Sequence, residues 1–241
     1  MACLFGFGLL CSFAQDKKKT EHVILISCDG LRPDAIEFLG EKWAPDFYRM
    51  MKEGAYTHNA RTDFNYTVTL PNHTCMLTGR GVLGESGHAW IENGTPKIGQ
   101  MLHRNKKAYI ASAFDVAHDH GLKTALFSSK EKFVLYDLSY NERSGGPDTL
   151  GEDNGRDKLD HYHFNEKTEE LIKSFTESLS KTPYGFSMLH LRDPDTAGHA
   201  NGWDIQSKSV YMSAVSKMNW VLGKLFDFIE NNEQMKGKTA L

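Results

Sequence analysis

Residues 63–80, DFNYTVTLPNHTCMLTGR, predict a helix whose start is suited to a reactive hydroxyl. Pro71 and Asn72 are typical of a helix start and Gly79 of a helix end, so we expect Thr69 just before the helix N-terminus. Backbone N–H groups and the positive end of the helix dipole attract phosphate oxygens there and favour a developing alkoxide. A threonine hydroxyl is a poor nucleophile at neutral pH, so Thr69 needs a general base or a metal ion to activate it.

Two apolar runs predict buried strands, each followed by side chains that can bind a metal ion. Residues 22–30, HVILISCDG, contain Asp29 at their end, and residues 187–191, SMLHL, are followed closely by Asp195 and His199. Short apolar runs of this kind are typical of parallel strands that are covered on both faces. Open α/β sheets bind ligands beyond the carboxyl ends of their strands, so we expect these three side chains to converge on Thr69.

The rest of the chain alternates between predicted helices and strands. Residues 44–54, 165–180 and 204–231 have helical patterns, and residues 123–128 predict a further strand. Residues 139–164 lack periodicity and predict a long loop. The alternation predicts an α/β fold, a three-layer α/β/α sandwich around a mostly parallel central sheet.

Composition narrows the class of protein. Of the 241 residues, 40% are hydrophobic and 24% are charged, which is ordinary for a globular domain. Lysine and arginine number 28 against 31 aspartates and glutamates, for a net charge of −3. This charge gives no long-range attraction to nucleic acid or to an anionic membrane. We therefore expect no nucleic-acid-binding surface, and a negative substrate must be met by local positive charge.

The N-terminus resembles a secretory signal peptide. Residues 2–14 form an apolar stretch too short to span a bilayer, and three lysines follow at 17–19. We therefore expect residues 1–14 to be removed from a secreted or periplasmic chain that has no transmembrane segment. Lipid anchoring at Cys11 is not favoured, because Leu10 before it is larger than such a site usually allows.

Three motifs occur in a fixed order along the chain. They are Asp29-Gly30 after an apolar strand, Thr69-Leu70-Pro71-Asn72-His73 with Thr78-Gly79, and Pro194-Asp195-Thr196-Ala197-Gly198-His199. Together they resemble the alkaline phosphatase superfamily and, within it, the type I phosphodiesterase/nucleotide pyrophosphatase family. Three ordered motifs, each after the expected element, are far more specific than any one of them. The resemblance covers nearly all of residues 21–241.

The resemblance implies a centre of two zinc ions. By motif position, Asp29 and Thr69 are similar to the ligands of one zinc, with Thr69 also the nucleophile. Asp195 and His199 are similar to the ligands of the other. Asn93 resembles the asparagine that hydrogen-bonds a non-bridging phosphate oxygen in the family. Two metals about 3.5–4 Å apart can stabilise both the attacking and the leaving oxygen of an in-line displacement.

The resemblance also implies that this sequence holds only part of the zinc centre. In the family, a later strand supplies an Asp-His pair and a still later histidine completes the second site, and neither follows within the 241 residues. We therefore expect residues 21–241 to be the N-terminal portion of an alkaline phosphatase-like catalytic domain, truncated at the C-terminus. The remaining ligands would lie beyond residue 241. An inactive fragment that binds metal weakly or not at all is the alternative.

The activity implied by the resemblance is zinc-dependent hydrolysis of phosphodiesters or nucleotide pyrophosphates through a phospho-threonine at Thr69. Hydrolysis of phosphomonoesters or phosphonates at the same site is the alternative. Leu70 stands where nucleotide-cleaving members often carry phenylalanine, which leaves nucleotide specificity open. The sequence around Cys75 lacks the proline of a sulfatase motif, and no Gly-x-Ser-x-Gly elbow of a serine hydrolase occurs.

Three other clusters carry metal-binding residue types. Asp119-His120-Gly121 matches the family's Asp-His-Gly motif, but it follows a helical pattern that its glycine would end. His161 and His163 have the spacing of metal ligands, yet a polar loop predicts an exposed pair. Asp193 could supply a carboxylate in place of Asp195, although the motif spacing favours Asp195.

Overall fold

The structure is a computed structural model that describes residues 19–241. The predicted signal peptide, residues 1–14, lies outside the described residues. None of the helices between residues 19 and 241 has the length and apolar character that a membrane span requires.

The centre of the fold is a parallel sheet. Its strands in the described residues are β1 His22–Cys28, β2 Thr124–Ser128, β3 His161–Phe164, β4 Phe186–Leu191 and β5 Thr239–Ala240. They lie in the order β3-β2-β4-β1-β5, and every pair is parallel. Cys28 at the end of β1 pairs with Leu191 at the end of β4. The residues that follow these two strands therefore meet at the same edge of the sheet.

Helices cover both faces of the sheet. Their bounds are α1 Pro33–Trp43, α2 Pro45–Glu53, α3 Thr69–Thr78, α4 Leu102–Lys106, α5 Ala113–Asp119, α6 Val134–Tyr140, α7 Thr168–Lys181, α8 Asp193–Asn201 and α9 Val210–Asn231. One buried cluster packs α2, α7 and α9 against Phe127 and Leu189 of the sheet. A second cluster packs α3, α5 and α6 against Leu126 and Met188 on the opposite face. The chain is therefore the three-layer α/β/α sandwich that the sequence predicts.

The long amphipathic helices agree with the sequence pattern, whereas the predicted loop does not agree at its end. Both α7 and α9 lie within or close to the predicted ranges. The loop predicted over 139–164 ends instead in the edge strand β3. His161 and His163 are therefore half-buried on this strand, where both rings pack against Phe127 at centroid distances of 5.1 and 5.5 Å. The expectation that His161 and His163 are exposed is wrong, because this polar segment pairs with β2 and becomes part of the sheet.

A buried ion pair fixes the segment that leads to β3. The Lys158 ammonium contacts the Asp148 carboxylate, and both side chains are fully buried. The same ammonium donates to the Gly155 carbonyl at 2.7 Å, and His118 Nδ1 lies 2.8 Å from Asp148 Oδ1. Because His118 belongs to α5, the pair joins residues 141–160 to the helical layer.

Lys158→Met is expected to lower the free energy of unfolding by about 3–5 kcal/mol, because Asp148 would keep a buried charge without its main partner. Lys123→Met is the matched control. Lys123 pairs with Asp160 at 2.5 Å, but its side chain is 65% exposed. Its loss should therefore cost about 0–1 kcal/mol. Urea denaturation followed by circular dichroism measures both changes, and equal losses would contradict a structural role for the buried pair.

Candidate active site

The turn after β1 places Asp29 against the start of α8. The Asp195 N–H donates to the Asp29 carbonyl at 3.0 Å. Gly30 has a φ of +72°, and a Cβ placed on it would lie 2.6 Å from the Asp195 Cα. Real Cβ atoms essentially never approach a backbone atom so closely. Only glycine therefore fits between these two segments, which carry two of the candidate metal ligands.

Gly30→Ala is expected to lower the free energy of unfolding by about 3 kcal/mol or more, because a backbone clash adds to the cost of a positive φ. Gly40→Ala is the control. Gly40 has a similar φ of +63°, but no heavy atom lies within 4 Å of where its Cβ would be. Its replacement should cost only the conformational strain, about 1–2 kcal/mol. Denaturant unfolding compares the two variants, and the clash would be contradicted by equal losses.

Thr69 lies at the start of α3, although not where the sequence predicts. Sequence analysis places it just before the helix, whereas the structure makes it the first helical residue. The helix starts earlier because the Asn72 N–H already bonds the Val68 carbonyl, at 3.3 Å. The Thr69 hydroxyl donates to Asp29 Oδ2 at 3.2 Å. The helix ends at Gly79 with a positive φ, as predicted.

Asn93 lies beside the first turn of α3. Its Oδ1 accepts from the Leu70 N–H at 3.0 Å and from Lys132 Nζ at 3.1 Å. These two donors identify this atom as the amide oxygen. The NH₂ group of Asn93 makes no hydrogen bond within the described part of the chain, so it remains a donor for a ligand in the cleft.

The first two turns of α8 carry Asp195 and His199. They are four residues apart on one helix, and His199 Nε2 lies 3.4 Å from Asp195 Oδ1. The Trp203 ring covers the helix at Gly198, where an added Cβ would lie 2.4 Å from it. The same ring meets His199 edge to face at a centroid distance of 5.5 Å. Trp203 therefore forms a wall of the cleft beside this histidine.

These residues surround one cleft of about 550 Å³. The lining includes the five residues singled out by the sequence, namely Asp29, Thr69, Asn93, Asp195 and His199. Apolar side chains complete it, including Met76 and Trp203. The edge of the sheet thus brings together side chains from β1, α3 and α8.

Lys130 is a site residue that sequence analysis missed. It follows β2, and its ammonium lies 2.5 Å from Asp29 Oδ2 and 2.6 Å from Asp195 Oδ2. It also lies 3.5 Å from the Thr69 hydroxyl oxygen. The available signal was its position just after a predicted strand, since parallel strands end at the same edge. No motif singles it out.

Local charges keep Asp29 ionised. Burial opposes ionisation of this carboxyl, but the His190 imidazole and the Lys130 ammonium outweigh it and hold the Asp29 pKa well below its usual range. Burial lowers the pKa of His190 to about 4. At neutral pH the site therefore presents an aspartate anion beside a neutral histidine.

The donor set suits a divalent cation, although it supplies only part of a coordination shell. Asp29 Oδ2 is 3.2 Å from the Thr69 hydroxyl oxygen, and His199 Nε2 is 3.4 Å from Asp195 Oδ1. Ligands about 2.0–2.2 Å from a tetrahedral zinc lie at similar separations from one another. The Lys130 ammonium supplies positive charge between the two carboxylates. Within residues 19–241, no group of three His, Cys, Asp or Glu side chains is placed to hold a metal ion.

The other candidate clusters lie outside the cleft. Asp119 ends α5, and Gly121 two residues later has a φ of +70°, as expected of a helix end. Asp193 pairs with Lys217: the Lys217 ammonium lies 2.7 Å from Asp193 Oδ1. Asp195 therefore faces the cleft while Asp193 braces α8 against α9.

Comparison with protein families decides the classification. The sequence profile described as type I phosphodiesterase/nucleotide pyrophosphatase matches residues 23–241. The chain belongs to this family. The match contains all three motifs on which the resemblance was based. No curated protein sequence matches the chain.

Solved structures share the fold of this phosphodiesterase family member. Murine ectonucleotide pyrophosphatase/phosphodiesterase 5 is 20% identical, with a TM-score of 0.59 over 88% of this chain and 53% of its own. An inactive threonine-to-alanine variant of that protein, in complex with AMP, is 18% identical with a TM-score of 0.60. The match covers 91% of this chain and 55% of the variant's chain. Phosphonoacetate hydrolase from Sinorhizobium meliloti 1021, in complex with phosphonoformate, is 13% identical with a TM-score of 0.55. The match covers 88% of this chain and 54% of the hydrolase chain. The chain spans about half the length of these solved chains.

Proposed function

We propose that this chain forms part of a zinc-dependent hydrolase of phosphodiesters or nucleotide pyrophosphates that acts through a phospho-threonine at Thr69. Membership of the family supports phosphoric ester hydrolysis. The observation that carries the proposal is the Thr69 hydroxyl, 3.2 Å from the Asp29 carboxylate and beside the ammonium that joins Asp29 to Asp195. This arrangement supplies a nucleophile and a place for concentrated positive charge in one cleft.

The chain's own residues would carry out most of the first step. Asp29 accepts a hydrogen bond from Thr69 and orients its oxygen, which loses its proton to solvent and attacks phosphorus. The bond to the leaving group breaks as the new bond forms, and the leaving oxygen takes up a proton from water. Asn93 would donate its free NH₂ to a non-bridging phosphate oxygen. Water then hydrolyses the phospho-threonine, which releases a phosphate monoester from a diester or pyrophosphate substrate and restores the hydroxyl.

Two pairs of residues would hold zinc. Asp29 and Thr69 would hold one ion, and Asp195 and His199 the other. When bound, two zinc ions lower the pKa of the nucleophile and stabilise the charge on the attacking and leaving oxygens. The Lys130 ammonium, beside the Thr69 hydroxyl, would add positive charge for a phosphoryl group in the cleft.

The substrate we propose is a small phosphoester such as a nucleotide. The AMP complex of the murine relative supports this class. Leu70 is completely buried in the core and offers no surface to a base. A base or other aromatic leaving group would instead meet Trp203, which lines the cleft beside His199. Export of the chain to a secreted or periplasmic location is part of the same proposal and rests on residues 2–14.

Zinc content and turnover of the purified chain test the proposal together. We expect Zn²⁺ binding at the cleft and hydrolysis of a nitrophenyl phosphodiester in preference to nitrophenyl phosphate. A nitrophenyl phosphonate in the same assay tests the alternative substrate class. Preference for the monoester or the phosphonate would overturn the diester assignment. Metal-free, inactive protein would instead identify the 241 residues as an inactive fragment.

A further inference from the structure

His190 is a buried histidine that the proposed mechanism does not use. It lies on β4, where it pairs with Ser27 of β1, and it has no exposed surface. Its ring packs against Phe133 at a centroid distance of 4.0 Å and against His73 at 5.0 Å. These contacts hold the plane of the imidazole in one orientation beneath the cleft.

The two ring nitrogens of His190 have different surroundings. Nδ1 lies 3.2 Å from the Ser128 hydroxyl oxygen. Nε2 is buried and has no hydrogen-bond partner among the described residues. Asp29 Oδ2 lies 3.4 Å from it. A fully buried polar atom left just short of a carboxylate needs an explanation, because such atoms are almost always paired.

The position of the ring proton follows from the hydrogen bonds around Ser128. The Ser128 hydroxyl has one proton, which can go to His190 Nδ1 or to the Lys130 carbonyl at 3.0 Å. The Lys130 carbonyl already accepts from the Phe133 N–H at 3.2 Å, so it remains paired if Ser128 turns away. If Ser128 donates to Nδ1, the proton of the neutral ring lies on Nε2. The other tautomer would aim a nitrogen lone pair at a buried carboxylate.

We infer that His190 is a positioning residue whose Nε2–H donates to Asp29 Oδ2 and fixes this carboxylate for Thr69 and for a metal ion. The same oxygen accepts the Thr69 hydroxyl, at 3.2 Å. A shift of a few tenths of an ångström closes the Nε2 contact to hydrogen-bond length. Donors behind a ligating carboxylate orient it and strengthen metal binding. The inference rests on the proposed function only where it concerns the metal.

Nuclear magnetic resonance tests the hydrogen bond without any metal. In the metal-free chain labelled with ¹⁵N histidine, we expect His190 to carry its proton on Nε2 at pH 7. We also expect its Nε2 resonance to shift in Asp29→Ala. A proton on Nδ1 would overturn the inference, since Nε2 would then have nothing to donate.

Zinc affinity tests the consequence for the site. Titration calorimetry with Zn²⁺ should show binding to His190→Phe weakened about ten- to a hundredfold, although the phenyl ring preserves the packing. His190→Gln should restore affinity to within about threefold, because its amide places an N–H where Nε2 lies. Unchanged affinity in His190→Phe would overturn the positioning role.

His163→Phe is the matched control for these measurements. His163 Nε2 is also buried without a partner among residues 19–241, but it lies on the edge strand β3, away from the cleft. We expect its zinc affinity to equal that of the unmodified chain. If the unmodified chain binds no Zn²⁺, as expected of an inactive fragment, the ring tautomer alone decides whether His190 holds Asp29.

Discussion

Thr69→Ala is expected to lower turnover by about 10⁴-fold or more, because it removes the oxygen that attacks phosphorus. The hydroxyl donates to Asp29 Oδ2 at 3.2 Å and accepts a long contact from the Lys130 ammonium at 3.5 Å. Its loss should change the free energy of unfolding by no more than about 1 kcal/mol. Zinc affinity should fall only modestly, since Asp29 remains. Steady-state kinetics, calorimetry and thermal unfolding separate these three effects.

Two further variants define what the Thr69 result means. Thr69→Ser keeps a hydroxyl and should retain part of the turnover, with a phospho-serine detectable by mass spectrometry after acid quenching. Thr78→Ala, at the other end of α3, removes a hydroxyl that bonds only the Thr74 carbonyl, at 2.6 Å. It should leave turnover unchanged. Normal turnover in Thr69→Ala would exclude the phospho-threonine mechanism.

Asp195→Asn is expected to weaken Zn²⁺ binding more than about 100-fold, because an amide is a far poorer zinc ligand than a carboxylate. Turnover should fall at least in proportion. Asp193→Asn is the natural control, since it makes the same change two residues away on α8. Asp193 pairs with Lys217 outside the cleft. Its replacement should lower stability slightly and leave zinc affinity intact.

The pair of aspartate variants also decides between the two carboxylates that the sequence offers. A larger loss of zinc affinity in Asp193→Asn than in Asp195→Asn would mean that α8 turns when metal binds. It would also assign the ligand to Asp193. Equal, small losses of zinc affinity in the two variants would show that α8 supplies no carboxylate ligand to the metal centre.

The sequence predicts the layers of this fold better than its details. Apolar runs identify β1 and β4, and the 3.6-residue pattern identifies α7 and α9, because these elements bury one face or both in the core. The same physical signal is absent from residues 161–164, whose polar strand depends on pairing with β2. Helix α8, Asp193–Asn201, is not among the helices that the sequence analysis predicts, although a proline in the first turn is a common helix start.

The candidate site also contains residues that the sequence predicts and residues that it does not. A motif marks the positions of Asp29, Thr69, Asp195 and His199. The motifs of Asp29 and of Asp195 and His199 also follow strand ends, and Thr69 begins a helix. Lys130 and His190 carry no such mark, since only the packing of β2, β4 and β1 side by side brings them to Asp29. Contacts between distant segments of this kind depend on register and side-chain direction, which local sequence does not specify.

The pairing of β1 with β4 has a consequence for how the protein is made. A ribosome delivers β1 early, but its partner leaves the exit tunnel only after most of the other helices and strands have been synthesised. Until then the backbone N–H and C=O groups along the edge of β1 that pairs with β4 are open to association with other nascent chains. Assembly of the cleft is therefore a late event in biogenesis, and the emerging N-terminal half would benefit from a chaperone.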